Sequence, residues 1–234
     1  WLDGKKFVDS GAGVATAVSA GSGEEVEPIL GPTYLPRKFK AAIALPPVND
    51  VDVFSQDLGF IAIVEGGRIV GFNLTVGGGM GSTHGEPATY ARLASLIGFL
   101  PPQRLLEVAE TVVKVQRDFG DRTNRKHARI KYILHEWGVE RFREELQSRL
   151  PFPLQPVQPM PAFEVLDHLG WHDQGNGKLY LGVYVENGRI LDQGDKRIRT
   201  GLRTIIDRYQ LAVRLTAQQN ILLVDILPED RADI

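Results

Sequence analysis

The stretch YLPRKFKAAIALPP, from Tyr34 to Pro47, sets Arg37, Lys38 and Lys40 at the head of an apolar run that two prolines then stop. Strand geometry sends alternate side chains to opposite faces. Lys38, Lys40, Ala42 and Ala44 are therefore expected on one side, with Phe39, Ala41, Ile43 and Leu45 as a core-like set on the other. Two ammonium groups held together on a half-buried surface repel each other and lose hydration, and an anionic partner relieves both costs. The same lysines would serve equally as solvated gatekeepers of a sheet edge. A second basic cluster, DRTNRKHARIKY, sets Arg122, Arg125, Lys126, Arg129 and Lys131 against Asp121 alone. On a helix Arg122, Lys126 and Arg129 share a face, as do Arg125 and Arg129, and such a face can grip phosphates or carboxylates or simply be solvated. No interleaved aromatics mark a base-stacking surface, so nucleic acid is not expected there.

Between the clusters lies GGGMGSTHGEPATY, whose glycines include Gly77, Gly78 and Gly79. It fits neither a P-loop nor a dinucleotide fingerprint. Its glycines permit close approach of backbone either to a flat ligand or to the protein's own core. His168 and His172 are four apart, but Gly170 lies between them and no third ligand is near, so no metal site is expected. The amides of TAQQN, Gln218, Gln219 and Asn220 among them, read as a polar hairpin turn. On these residues alone the chain is an anion-binding α/β protein.

The elements that must carry these groups follow from the patterning. The 234 residues hold 27 Lys+Arg against 29 Asp+Glu, so any basic site is local. There is no cysteine, which excludes thiolate ligands to zinc or to an iron–sulfur cluster from this chain. No apolar run is long enough for a membrane span, and no secretory signal pattern opens the chain, so a soluble intracellular protein is expected. The stretch from Asp9 to Glu27 is small and polar, and residues 1–27 read as a flexible lead-in. FIAIVEGGRIVGFNLTV reads as a hairpin turning at Gly66-Gly67. Pro101-Pro102 open a helix, RTNRKHARIKYILHEW forms a second, and Val139, Phe142, Leu146 and Leu150 stripe a third. PFPLQPVQPMP reads as an extended connector between two units. Beyond it KLYLGVYVENGRILD reads as a strand, an Asn-Gly turn and a strand; a short helix and two strands around TAQQN complete a β-β-α-β-β layer.

Four stretches taken together, GPTYLPRKFK, NDVDVFSQDLGFIAI, GFNLTVGGGMGSTHG and QRDFGDRTNRKHARIKY, resemble the sirohaem sulfite/nitrite reductase family, on its assimilatory sulfite reductase side. GWHDQGNGKLYLGVYVENGRI, TGLRTI and RLTAQQN extend the likeness almost to the end. The resemblance implies an α+β fold. Its parts would be a sirohaem-binding domain with a mixed sheet and helices over residues 28–155, a ferredoxin-like half-repeat over 160–227 and a tail over 228–234. It implies six-electron reduction of sulfite to sulfide with sirohaem and a 4Fe-4S cluster, Lys38 and Lys40 facing the substrate. Arg37, Gly77, Gly78, Gly79, Arg122, Asn124, Arg125, Arg129, Lys131, Gln218, Gln219 and Asn220 would contact the cofactor. Nitrite-reducing relatives tend to carry Asn at the second lysine position, so Lys40 tilts the choice toward sulfite. A nitrite reductase and a non-catalytic anion- or nucleic-acid-binding module are the alternatives. The family's cluster cysteines and further substrate-binding arginines lie in parts not found here. The chain is therefore expected to be an internal piece, partnered by N- and C-terminal parts of the same polypeptide, inactive alone and binding sirohaem weakly or not at all. Its electron donor would be ferredoxin or an NADPH-dependent flavoprotein, and its compartment the cytoplasm or, in a plant or alga, the plastid stroma.

Overall fold

The computed structural model describes residues 6–9, 15–18, 27–164 and 167–234. Within the expected lead-in, β1 (Lys6–Asp9) and β2 (Ala15–Val18) pair antiparallel, and the rest of that stretch lies outside the described residues. The first sheet has the order β3-β4-β5-β6, with β3 (Ala41–Ala44) parallel to β4 (Leu58–Glu65), and β5 (Arg68–Val76) and β6 (Ser95–Leu100) following antiparallel. The β4–β5 turn is the expected one: Gly66 and Gly67 have φ of +54° and +75°, a pair of left-handed residues that suits a tight hairpin.

α1 (Leu105–Phe119) follows a 3-10 turn at Pro102–Arg104 and lays Val108, Val112 and Val115 against the sheet. α2 (Ile130–Arg149) is broken at Gly138, whose φ of +74° is non-helical, so it amounts to the two expected helices end to end. Phe142 and Leu146 are fully buried in the same core as Leu58, Phe60, Leu74 and Ile97. Each such side chain contributes about 1.5–3 kcal/mol by leaving water. The opposite sheet face carries a smaller core of Ala44, Val53 and Ile61.

Four sequence expectations change. The start of the second helix is a loop: Asp121 Oδ1 accepts from the backbone N–H groups of Thr123 and Asn124 and from the Thr123 hydroxyl, and Asn124 Oδ1 accepts from Lys126 N. These short-range bonds satisfy the backbone outside a helix, so Arg122, Arg125, Lys126 and Arg129 do not share a helical face. In β3 the burial is reversed, Ala44 facing the core while Ile43 is 54% exposed. The strand lies at the sheet edge, where no described element covers the Ala41/Ile43 side. Phe39 alone of that set packs on the main core. The proline-rich connector is extended but lies on the first sheet. Gln155 exchanges both backbone hydrogen bonds with Phe99 (2.8 and 2.9 Å), and the buried Asn73 amide bonds both backbone groups of Gln158. Finally, β8 (Leu179–Val183) pairs with the preceding β7 (Gly170–Asp173), not with the segment after the Asn187-Gly188 turn. That later segment forms only the short β9 (Asp192–Gln193) and β10 (Lys196–Arg197).

The second sheet has the order β11-β12-β8-β7, wholly antiparallel, with β11 (Ala212–Leu215) and β12 (Ile221–Ile226) around the TAQQN turn. α3 (Ile198–Tyr209) packs Leu202, Ile205 and Ile206 on the core of Leu223 and Ile226. The final residues fold back onto this unit, Ile234 touching its core and Asp233 pairing with Arg208 at 2.8 Å.

Candidate functional site: a cationic cleft

The residues that carry Lys38 have no regular structure between a 3-10 turn (Gly31–Thr33) and β3. Side chains hold them. Arg122 donates to the carbonyls of Thr33 (3.0 Å) and Tyr34 (2.6 Å), which steadies Tyr34 at φ +54°, a conformation that costs a non-glycine residue about 1 kcal/mol or more. Gln116, buried in α1, donates its amide N–H to the Arg37 carbonyl at 3.3 Å. Asp57, wholly buried just ahead of β4, accepts from Lys40 N at 2.9 Å.

This segment forms one wall of a cleft of about 470 Å³, whose lining includes Arg37, Lys38, Arg125, Lys126, Arg129 and Lys131. No carboxylate lines it. Two of the six cations are neutralised. Arg129 meets Asp57 in a fork, Nε at 3.0 Å and an outer nitrogen at 2.8 Å, and also donates to Gly78 O. Lys126 pairs with Glu86. Lys131 is 1% exposed, and its ammonium donates to the carbonyls of Gly79, Gly81 and Tyr90, with the Tyr132 ring 5.0 Å away. Burial, and then the Arg129 charge, lower its pKa. Burial raises those of Tyr90 and Tyr132. Among the described residues Arg37, Lys38 and Arg125 make no ion pair. An anion entering here meets three cations that have no ion-pair partner among the described residues, and bonds from such charged donors are stronger than neutral ones.

The expected site residues do not all gather here. Lys40 points to solvent outside the lining, though its backbone is tied to Asp57. Gly77, Gly78 and Gly79 are buried behind the cleft. A Cβ on Gly78 would come 2.2 Å from Phe54 O and one on Gly79 2.6 Å from an Arg129 nitrogen, so the close approach they permit is to the protein itself. The open glycine at the cleft is Gly81. Arg122 is spent on the carrier segment, and Asn124 caps Lys126 in an adjoining shallow depression. Gln218, Gln219 and Asn220 sit in the second unit. The Asn220 amide accepts from Val185 N and donates to Asp167, and Gln218 Oε1 is buried with no partner among the described residues. Asp57 escaped sequence reasoning, its one signal being an acidic residue directly ahead of an apolar strand.

Residues 3–154 match the family model described as the nitrite and sulphite reductase 4Fe-4S domain, and residues 172–234 match the nitrite/sulfite reductase ferredoxin-like half domain. The chain belongs to the nitrite and sulfite reductase family. It is 56% identical over 210 residues to the sulfite reductase (NADPH) hemoprotein beta-component of Myxococcus xanthus, covering 90% of this chain and 37% of that protein. It is 42% identical over 240 residues to the sulfite reductase (ferredoxin) of Synechococcus elongatus, covering 100% of this chain and 38% of that protein. Among solved structures it is similar to the NirA protein of Mycobacterium tuberculosis, with 30% identity and a TM-score of 0.69 over 86% of this chain and 36% of that one. The chain thus spans well under half the length of these relatives. No helix among the described residues is long and apolar enough to cross a membrane.

The donor set of the cleft fits a polycarboxylate such as sirohaem, since Arg37, Lys38 and Arg125 present charge with no ion pair among the described residues. It does not extend to the iron–sulfur cluster of the family description, because the chain has no cysteine to ligate one.

Proposed function

We propose that this chain is the portion of a sirohaem-dependent sulfite reductase that supplies substrate-binding lysine and cofactor contacts, in an enzyme converting sulfite to sulfide. The observation that carries the reading is the cleft wall on which Arg37, Lys38 and Arg125 stand without counter-ions among the described residues. When bound, sirohaem with its cluster would supply the six electrons. The chain's own contribution is electrostatic and protonic. Sulfite is a compact oxyanion, and Lys38 lowers the energy of the charge it accumulates while offering protons, two being needed for each oxygen lost as water. Lys40, two residues further along and outside the cleft lining, adds positive potential at longer range. Arg37 and Arg125 suit carboxylates through their forked donors. The cluster ligands and the electron donor, ferredoxin or an NADPH-dependent flavoprotein, would come from the rest of the polypeptide and from a partner.

Expressing the chain within its full-length polypeptide, with sirohaem and iron provided, should give a haem absorption spectrum and sulfite reduction driven by a one-electron dye. The chain alone should show neither. A colourless, inactive full-length protein would refute the reading, and turnover of nitrite well above that of sulfite would move it to the nitrite-reducing side of the family.

A further inference from the structure

Asp57 ties together three segments beside the cleft: the carrier segment, the loop that bears Arg129 and the head of the glycine loop. Its carboxylate takes the Lys40 N–H of the carrier segment at 2.9 Å and both arms of the Arg129 fork from the loop ahead of α2. Its backbone carbonyl takes Gly77 N at 2.9 Å, at the head of the glycine loop. Leu58, next in sequence, donates to the Lys40 carbonyl at 3.1 Å, so both polar groups of the Lys40 backbone end on one short segment. On the other side Gln116 holds the Arg37 carbonyl. Lys38 therefore stands between two backbone pins, both set by buried polar side chains. A carboxylate needed only to neutralise Arg129 would not have to reach the Lys40 amide.

We propose that Asp57 is a positioning residue, whose buried carboxylate fixes the direction from which Lys38 meets an anion in the cleft. This rests on the reading of the cleft as an anion site. Two consequences of removing the charge oppose each other. Asp57→Asn leaves Arg129 uncompensated, adding one net positive charge that would tighten any anion by simple attraction. It also sets an amide N–H against the Arg129 donors and loosens the Lys40 amide, which disperses the wall that aims Lys38. If Asp57 positions, the second effect wins.

The test is titration of the isotopically labelled chain with sodium sulfite, read by backbone amide shifts across residues 37–40, together with hydrogen exchange at the Lys40 amide. Wild type should respond saturably. Asp57→Asn should bind sulfite at least tenfold more weakly despite its added charge, with protection of the Lys40 amide lost. Equal or tighter binding overturns the proposal, leaving Asp57 a counter-ion. Where the Asn variant does not fold, Asp57→Glu keeps the charge but displaces the carboxylate by a methylene; weaker binding supports positioning and unchanged binding overturns it. If wild type shows no sulfite response, the anion reading fails. The exchange data then decide Asp57 separately: loss of Lys40 protection in either variant supports positioning, and retained protection overturns it.

Discussion

Replacing Lys131 with methionine removes the ammonium group that closes the glycine loop onto the core while keeping most of its apolar stem. In the native chain that group serves three carbonyls, those of Gly79, Gly81 and Tyr90. Hydrogen bonds from a charged donor contribute about 1.5–3 kcal/mol each, but burying the ammonium costs several kcal/mol, so the net is far below their sum. The carbonyls then decide the outcome. Gly81 is exposed and can turn to water, and the buried Gly79 carbonyl keeps the Arg92 N–H at 3.0 Å, so it loses one of two donors and is not stranded. Partial losses at the three carbonyls give an expected destabilisation of about 1–3 kcal/mol. Urea unfolding of Lys131→Met and wild type measures it. Hydrogen exchange locates it, since the paired amides of Gly79 and Arg92, which bond each other's carbonyls, should lose protection first. A change below about 0.5 kcal/mol with both amides still protected would refute the account of Lys131 as the loop's anchor.

The alkaline limb of stability should report the same residue. Burial lowers the Lys131 pKa below its ordinary 10.5, so between those values the unfolded chain binds more protons and stability rises with pH. Burial raises Tyr90 and Tyr132 above 10.0, so there the folded chain holds more protons and stability falls as pH climbs past that point. Urea midpoints measured from pH 8 to 11 should show the rise in wild type and only the fall in Lys131→Met; a rise surviving the substitution would assign it elsewhere. Among the loop glycines, Gly78→Ala drives a methyl group against the carbonyls of Phe54 and Gln56, 2.2 and 2.6 Å away, and should cost more than about 2 kcal/mol. Gly81→Ala meets nothing within 4 Å and should stay within about 0.5 kcal/mol, so equal unfolding midpoints for the two would contradict the packing.

Much of the framework was readable without coordinates, because it rests on short-range signals. Two adjacent glycines between β-rich runs make a turn wherever they lie, and the Val139, Phe142, Leu146, Leu150 stripe needs only helical period to face a core. The two strands flanking TAQQN were equally plain. What failed was the reading of polar residues as though the backbone around them were regular. Asp121, Thr123 and Asn124 satisfy local N–H groups and unwind the expected helix start, placing Arg125 and Lys126 on a loop that can bend toward Lys38. The pairing of β8 with β7 was hidden because an Asn-Gly pair stands on each side of β8, Asn176-Gly177 before it and Asn187-Gly188 after it, and only the fold decides which of them closes a hairpin.

Residue types alone determined that the chain carries two basic clusters near a glycine-rich loop, no thiolate chemistry of its own, and a family likeness. Only the tertiary structure decided which cations remain available. Arg122, Arg129 and Lys131 look alike in sequence to Arg37, Lys38 and Arg125, yet the first three are committed to carbonyls or to Asp57 and the last three are not. That distinction depends on partners brought from distant parts of the chain: Asp57 lies 72 positions from Arg129, and the Thr33 carbonyl 89 from Arg122. A charge's availability is set by what folds against it, and spacing along the chain holds no record of that.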